Sequence, residues 1–553
     1  MVAAMPLPSI PPRACRAVSG LTAVVLLAGS LAAQPRAKPS AAGWTRGATC
    51  YEIFIRSFRD SDGDGIGDLN GLTRSLDYIN DGNPRSRTDL GARCIWLMPV
   101  AESPSYHGYD VSNYYKVEPD YGTNADFKRM VAAAHRRGIK VLVDLVLNHA
   151  SSEHPYFKEA LRDTTSPHRR WFRFAPTKPT SKGPWGQDVW YKSPVRDEWY
   201  YAVFWSGMPD LNYETPAVRA EASKVARFWL TEMGVDGFRL DAVPYLVESG
   251  DTLAHARATH DVLRRFAADV RRIAPHAFTI GEVWDSTRTI LSYYPNELDA
   301  HFAFPVSDAI LDAARTGTPG KLLPEVLRFQ RALAYDRWSP FLRNHDQTRT
   351  LTALGGDTAR ARLAAEILFT LPGLPFVYYG EEIGMTGDKP DERLRTPMQW
   401  TPDVSGFTSG KPWEALQADT STANVARERA DSGSLLNVYR RLIHLRARSA
   451  ALATGELIPL TSSNQSVLAF LRRDPAGTVL VVANLGATAL AGLTLASGPG
   501  ALLAGRYATK ALYGPPVSAA LRAGPDGALA SDAPLSPLAP MHTYILQLSR
   551  ATR

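Results

Sequence analysis

Cysteine is scarce in this sequence, with three residues among 553. Cys15 lies in the N-terminal stretch, so Cys50 and Cys94 are the two cysteines of the chain that follows it. Both fall in predicted strands. We therefore expect two buried thiols rather than a disulfide, although an oxidising compartment would permit the bond.

Motifs of several common enzyme and binding classes are also missing. No His/Cys cluster has metal-ligand spacing and no Gly-rich phosphate loop stands at a strand–helix turn, which argues against dehydrogenases and kinases. The 62 basic and 55 acidic residues give a formal net charge of +7, but they form no dense Lys/Arg run. We therefore predict no nucleic-acid partner.

Residues 1–33 have the pattern of a secretory signal peptide. Arg13 and Arg16 supply the positive region, an apolar run follows over residues 20–33, and Ser30-Leu31-Ala32 offers small residues for cleavage. A membrane anchor is the alternative, but the run is short for a span and no second long apolar run follows. We expect an exported protein, periplasmic or extracellular, without a stable membrane anchor.

Eight strand patterns separated by helical patterns predict an α/β fold, a (β/α)8 TIM barrel. The predicted strands cover residues 50–55, 94–98, 139–145, 235–240, 279–282, 301–304, 341–346 and 374–379, and two of the predicted helices cover residues 123–137 and 216–233. Residues 150–207 break this rhythm after strand 3 and read as an inserted domain. From about residue 453, short strands with Gly/Pro turns predict a C-terminal antiparallel β-sandwich. The expected organisation is a signal peptide (1–33), barrel (34–149 and 208–452), inserted domain (150–207) and C-terminal domain (453–553).

The segment Gly237-Phe238-Arg239-Leu240-Asp241-Ala242-Val243 places an arginine and an aspartate at the end of a buried strand. Two residues apart on an extended backbone, Arg239 and Asp241 point to the same side. A cation beside a carboxylate keeps it ionised, as a nucleophile requires. Taken alone, the pair could equally be a structural ion pair.

Four aspartates alternate with small residues in the loop over residues 60–68. Asp60, Asp62, Asp64 and Asp68, with the carbonyl of Ile66, would surround a hard cation such as Ca²⁺ with oxygen ligands. A solvated acidic turn is the simpler alternative, but the glycine spacing favours a structural metal site.

Three carboxylates follow different predicted strands: Asp241, Glu282 and Asp346. Two acids facing one glycosidic bond are what sugar transfer needs, one attacking the anomeric carbon and the other protonating the leaving oxygen. Neighbouring carboxylates would raise the pKa of Glu282. His149 and His345 lie beside acids at strand ends, where they would donate to sugar hydroxyls rather than serve as core imidazoles.

The chain resembles glycoside hydrolase family 13, the α-amylase family, over nearly all of its length after residue 33. The residues that carry the resemblance are 144–149 (DLVLNH), 237–243 (GFRLDAV), 281–284 (GEVW) and 344–346 (NHD). The resemblance implies a retaining enzyme with Asp241 as nucleophile, Glu282 as general acid/base and Asp346 as the third acid. It also implies sugar contacts from Arg239, His149, His345 and Tyr109, and calcium in the loop at residues 60–68. Asn148 would be a candidate ligand of a second calcium.

Substrate choice is indicated by two further segments. Residues 208–212 (MPDLN) resemble the subgroup between oligo-1,6-glucosidases and neopullulanases, and the segment that begins at Arg395 occurs in oligosaccharide-acting members. Members that act from the chain end carry an acid where Tyr106 stands, paired with an arginine. Here the loop with Tyr106, His107 and Tyr109 is similar to that of endo-acting amylases.

We therefore expect a monomeric α-amylase that cleaves internal α-1,4 bonds of α-glucans and maltooligosaccharides. An oligo-1,6-glucosidase, an α-glucosidase or a transglycosylating relative is the alternative. A non-catalytic, amylase-like binding protein is disfavoured, because such relatives lose members of the acid triad and this chain retains all three.

Overall fold

The computed structural model describes residues 39–250, 252–517, 520–531, 535 and 537–551. The predicted signal peptide and Cys15 lie outside these residues. Among the residues described, no helix combines the length and the apolar character that a membrane crossing requires.

Eight short parallel strands, buried at nearly every position, form the first sheet: β1 (Cys50–Ile53), β2 (Cys94–Leu97), β3 (Lys140–Leu145), β4 (Gly237–Leu240), β5 (Phe278–Gly281), β6 (Ala300–Phe302), β7 (Trp338–Ser339) and β8 (Phe376–Tyr378). From β1 to β7 each strand pairs with the next one in chain order, and β1 also pairs with β8. The amides of Leu374 and Phe376 donate to the carbonyls of Trp338 and Pro340, at 3.0 and 3.1 Å, between β7 and β8. These bonds complete the ring, and the predicted TIM barrel is confirmed.

The seventh predicted strand, residues 341–346, is wrong in position. The paired residues are Trp338 and Ser339, which align with His301 and Phe302 of β6. Pro340 then interrupts the ladder, because proline has no amide hydrogen to donate. The stretch over residues 341–346 is irregular and brings its polar residues to the barrel mouth.

Helices alternate with the barrel strands and cover them: Leu69–Arg74, Leu76–Ile79, Asn124–Arg136, Pro155–Arg162, Pro216–Arg227, Arg257–Ile273, Thr287–Leu291, Phe304–Thr316, Leu322–Ala332, Thr350–Ala353, Thr358–Thr370, Asp391–Leu394, Val425–Ala430, Leu435–Arg448 and Ala450–Thr454. The helix Asn124–Arg136 shows why they form. Thr123 and Asp126 make a reciprocal capping box at its start, and Phe127, Met130 and Val131 are buried on one face. The second predicted helix, 216–233, is α-helical over Pro216–Arg227 and continues as a π-helical turn, Phe228–Glu232.

The excursion after β3 has its own small sheet. Trp199–Tyr201 is the central strand, with Phe174–Ala175 and Trp190–Lys192 as its antiparallel neighbours. A separate two-stranded ladder joins Ala101–Glu102 to Asn113–Val117 in the connection after β2. Both excursions stand at the carboxyl end of the barrel, where an active site of this fold is built.

The C-terminal strands form one antiparallel sheet: β9 (Glu456–Pro459), β10 (Thr461–Ser462), β11 (Val467–Asp474), β12 (Gly477–Asn484), β13 (Leu495–Ala496), β14 (Gly505–Tyr513), β15 (Leu521–Ala523), β16 (Leu529–Ser531) and β17 (His542–Arg550). Their order is β9-β11-β12-β17-β14-β15-β16-β13-β10. Leu471 of β11 and Leu480 of β12 share one buried core with Leu495 of β13 and Leu529 of β16. Strands distant in the order thus face each other, as expected of the predicted two-layer sandwich.

Cys50 and Cys94 form a disulfide, so the prediction of two free thiols was wrong. The two residues are direct partners in the β1–β2 ladder, with Cα atoms 4.3 Å apart. Their side chains therefore leave the sheet on the same side, within reach of one bond. Both residues were predicted to lie in strands, but neither strand's sequence specifies how the two strands align.

Glu366, on the helix Thr358–Thr370, is fully buried where the barrel meets the C-terminal sheet. The Tyr513 hydroxyl and the Thr543 amide each donate to its carboxylate at 2.8 Å. Burial raises the pKa of Glu366 to about 7 in spite of these hydrogen bonds. Below pH 4.5, the ordinary pKa of a glutamate, the raised pKa of Glu366 makes its full contribution to the stability of the fold. This contribution is lost as the pH rises through about 7.

We therefore expect the free energy of unfolding to fall across that pH window by a term on the order of 3 kcal/mol that Glu366→Gln lacks. Thermal unfolding of both proteins over a pH series measures the difference, and parallel stability curves would contradict the assignment.

Candidate active site

Strand β4 ends in the charged pair that the sequence singles out. A Cβ at Gly237 would lie 1.9 Å from the carbonyl oxygen of Phe278, so only glycine allows β4 to pair this closely with β5. Beyond it, Arg239 is 1% exposed and points into the barrel mouth beside Asp241. Ala242, with a left-handed φ of 48°, then turns the chain into the short helix Val243–Tyr245.

One guanidinium joins three carboxylates. Nη1 of Arg239 lies 2.6 Å from Asp241 and 3.0 Å from both oxygens of Asp144, and Nη2 lies 2.8 Å from Glu282. The predicted nucleophile and the predicted acid, which follow β4 and β5, therefore share one buried cation. This contact brings two carboxyl groups to the same point at the mouth.

The surroundings of Glu282 favour the protonated form of its carboxyl group. Burial raises the pKa of Glu282, Arg239 opposes this, and the charges of Asp241 and Asp346 raise it further. A raised pKa keeps the carboxyl protonated at higher pH, which suits a general acid. Asp241 accepts a charge-assisted hydrogen bond from the other terminal nitrogen of Arg239, at 2.6 Å.

Asp346 belongs to a second charged network on the other side of the mouth. Its carboxylate lies 3.1 Å from Nε2 of His345 and 2.8 Å from Nη2 of Arg395. Burial alone would lower the pKa of His345, but Asp346 and Glu52 raise it to about 10. Burial would likewise raise the pKa of Asp346, yet His345 and Arg395 hold it far below its usual range. His345 and Arg395 therefore favour the ionised form of Asp346.

The predicted sugar contacts surround these acids. The Tyr109 hydroxyl lies 2.6 Å from Nε2 of His345 and donates to Asp144 at 3.1 Å, and its ring stacks on His345 at 5.6 Å. Nε2 of His149 lies 3.1 Å from the Tyr109 carbonyl oxygen. His107 accepts the Tyr109 amide at 3.1 Å, and burial lowers its pKa to about 4. The three histidines of the predicted substrate site, His107, His149 and His345, therefore all contact Tyr109.

Tyr106 and Arg395 border the mouth on the side of Asp346. Their side chains meet at 3.5 Å, and the Tyr106 ring stacks on Trp413 at 5.3 Å. Position 106 therefore offers Arg395 a neutral phenol, while its acidic partners are Asp346 at 2.8 Å and Asp391 at 3.5 Å.

The acidic loop over residues 60–68 forms a separate group of carboxylates. Asp60, Asp62 and Asp68 offer carboxylate oxygens within 4.8 Å of one another, and Asp64 stands outside this group among the residues described. Asp64 instead accepts the Ile66 amide at 2.8 Å. Burial would raise the pKa of Asp60, but hydrogen bonds from Thr408 and loop amides lower it, which favours the ionised form. An oxygen-only donor set of ionised carboxylates fits a hard cation such as Ca²⁺.

Sequence reasoning missed three residues of the site. Glu52, in β1, accepts from Nδ1 of His345 at 2.5 Å and is 2% exposed, and Asp144 is the third partner of Arg239. A charged residue inside an apolar strand was the available signal for both. Trp284, two residues after Glu282, is 55% exposed and stacks on Phe304 at 4.9 Å.

Comparison with known proteins gives a consistent set of matches. A family described as "Alpha amylase, catalytic domain" matches residues 52–455. Alpha-amylase 3 of Dictyoglomus thermophilum is 39% identical over 455 residues, covering 80% of this chain and 85% of that protein. Trehalose synthase/amylase of Mycobacterium tuberculosis is 35% identical over 523 residues, covering 83% and 84%. The crystal structure of an α-amylase from H. orenii superposes with a TM-score of 0.76 at 38% identity, covering 91% of this chain and 99% of that one.

Proposed function

Because the chain belongs to the α-amylase family, glycoside hydrolase family 13, we propose that it is a retaining α-glucan hydrolase that cleaves internal α-1,4 bonds. The proposed substrates are starch-like polymers and maltooligosaccharides. The observation that carries the proposal is the meeting of Asp241 and Glu282 on opposite nitrogens of the Arg239 guanidinium. Two carboxyl groups at one point, one ionised and one inclined to hold a proton, are the pair that retaining glycosidases use.

In the first step, Glu282 donates its proton to the glycosidic oxygen while Asp241 attacks the anomeric carbon. The carbon–oxygen bond to the leaving sugar breaks and an ester to Asp241 forms. Glu282, now ionised, takes a proton from water, which attacks the same carbon and releases Asp241. Two inversions give net retention. Asp346, fixed by His345 and Arg395, would accept hydrogen bonds from the sugar hydroxyls and stabilise the positive charge of the transition state.

The contact between Tyr106 and Arg395 supports internal cleavage. An acid at position 106 would form a charge-assisted bridge with Arg395 and close the mouth behind the terminal sugar. The phenol of Tyr106, whose burial raises its pKa to about 12, remains neutral and offers a longer chain a stacking surface instead.

Product analysis tests the internal-cleavage proposal. Amylose is expected to lose iodine staining well before it releases much reducing sugar, and short oligosaccharides should precede glucose. Pullulan, isomaltose and maltose are the comparison substrates, and a preference for isomaltose or maltose would overturn the proposal.

Transfer rather than hydrolysis is the second candidate, favoured by the similarity to the trehalose synthase/amylase. It requires that the released sugar stay bound and attack the ester in place of water. Incubation with maltose separates the two activities, because transfer would yield trehalose and hydrolysis yields glucose.

We also propose that the loop at residues 60–68 holds a structural Ca²⁺ through Asp60, Asp62 and Asp68, whose carboxylate oxygens lie together, with Asp64 and the Ile66 carbonyl as the further ligands. Calcium at about 100 times its Kd would add about 2.7 kcal/mol to the stability, so chelation should lower the unfolding temperature. Asp62→Asn should abolish the response to calcium, whereas Asp163→Asn, the same change in an aspartate outside the loop that accepts the Thr165 amide at 2.8 Å, should retain it. Scanning calorimetry with and without calcium measures both. An equal calcium response in the two variants would exclude this ligand set.

Export is the last part of the proposal, and it rests on the sequence of residues 1–33. Mass spectrometry of the protein from producing cells should find the mature chain beginning near residue 34, outside the cytoplasm. An N-terminus that retains this segment would overturn it.

A further inference from the structure

Trp185 is the most exposed tryptophan among the described residues, with 61% of its surface open to solvent. It lies in the inserted segment between the strands Phe174–Ala175 and Trp190–Lys192. A single exposed apolar ring is ordinary on a protein surface, so the position and contacts of Trp185 must show whether it meets a ligand.

The backbone that carries the Trp185 ring is held in a defined position. Trp185 stands at the tip of a hairpin that is pinned by a backbone bridge and an ion pair between Lys182 and Asp188. Its amide donates to Oε1 of Gln187 at 3.0 Å, and Nε2 of Gln187 donates to the Val203 carbonyl at 2.8 Å. The indole is thus presented from an ordered backbone, which lowers the conformational entropy that this segment loses when it binds a ligand.

Aromatic contacts connect this tip to the catalytic groups. The Trp185 ring lies 5.4 Å from Tyr245 and 5.8 Å from Phe204. Phe204 in turn lies 5.3 Å from His149. Tyr245 is the last residue of the short helix that follows Asp241. Burial raises the pKa of Tyr245, and the negative charge of Glu282 raises it further. Trp185 is therefore one aromatic ring away from the acid side of the site.

The barrel order identifies which part of a substrate this surface faces. Asp346, Arg395 and Tyr106 follow β7, β8 and β2, and they border the mouth on one side. Glu282 and Tyr245 follow β5 and β4 on the other. Since the general acid protonates the leaving oxygen, the surface on its side faces the departing sugars.

We propose that Trp185 is a specificity-determining residue that stacks on glucose units of the leaving group beyond the first, and so favours long α-glucans over short ones. This inference rests on the proposed function and names the part of the substrate that the inserted segment reads. An indole face covers the apolar face of a pyranose ring, which removes both from water.

The test compares maltoheptaose, which can extend past the first leaving-group position, with 4-nitrophenyl maltotrioside, whose nitrophenol fills that position alone. Trp185→Ala should lower kcat/KM on maltoheptaose about tenfold, mostly through KM, with less than about a twofold change on the nitrophenyl substrate. Trp185→Phe, which keeps a smaller ring, should fall between. Trp199→Ala is the matched control, because its ring faces Lys178 and Lys192 at 5.2 and 5.5 Å instead of the catalytic groups.

Equal losses on the two substrates, or no loss on maltoheptaose, would overturn the assignment of Trp185. Failure of the proposed function is distinguishable before any variant is compared, because the unaltered enzyme would then leave both substrates intact or release only single glucose units from them. In that case the inference falls with it.

Discussion

Asp241→Asn is expected to lower kcat on maltoheptaose by about 10⁴-fold or more while the fold remains intact. The change replaces an ionised attacker with a neutral amide of the same shape, which cannot form the ester to the anomeric carbon. Arg239 keeps Asp144 and Glu282 as partners, so the buried guanidinium is not left without negative charge. Steady-state kinetics measure the loss, and thermal unfolding checks the fold.

Asp299→Asn is the matched control. Asp299 is a buried aspartate that accepts the Thr279 amide at 3.0 Å, near the start of β5 and therefore at the opposite end of the barrel. Its substitution should cost stability and leave kcat nearly unchanged. If Asp241→Asn retained more than about a hundredth of the activity, Asp241 could not be the nucleophile.

Much of the fold followed from patterns that lie within single segments. Apolar runs of strand length with helical patterns between them predict a parallel barrel, because every strand must be buried on both faces. The location of the acids follows from the same argument: Asp241 and Glu282 come directly after strands, and the carboxyl ends of parallel strands meet at one mouth. The expectation for Asp241 thus needed no knowledge of the register.

The features that sequence reasoning missed depend on relations between segments. Cys50 and Cys94 bond because the β1–β2 register places them opposite each other, and that register is not written in either strand. Glu52 joins the site only because β1 lies beside β8, so that its carboxylate reaches His345. Trp185 looked like any aromatic residue of the inserted segment until its exposure and its contact with Tyr245 were seen.

Glu282→Gln is expected to lower kcat on maltoheptaose by about 10²- to 10⁴-fold, because the amide cannot give a proton to the leaving oxygen. The loss should depend on the leaving group. Fluoride departs without protonation, so α-maltotriosyl fluoride should form the ester to Asp241 at a rate much closer to that of the unaltered enzyme. Asp241→Asn should be equally impaired on both substrates, which separates the two roles.

The pH profile gives a second, independent signature of Glu282. The active form carries the proton, so activity of the unaltered enzyme should fall as the pH rises through the pKa of Glu282. Burial and the charges of Asp241 and Asp346 place this pKa above the ordinary 4.5. On maltoheptaose, the residual activity of Glu282→Gln should lose this basic limb, whereas Glu366→Gln, the same change in a buried glutamate far from the mouth, should keep it. With α-maltotriosyl fluoride, which needs no proton, even the unaltered enzyme should show no basic limb from Glu282. A basic limb that persists in Glu282→Gln would assign the proton to another group, and Glu282 would then be a positioning residue for Arg239.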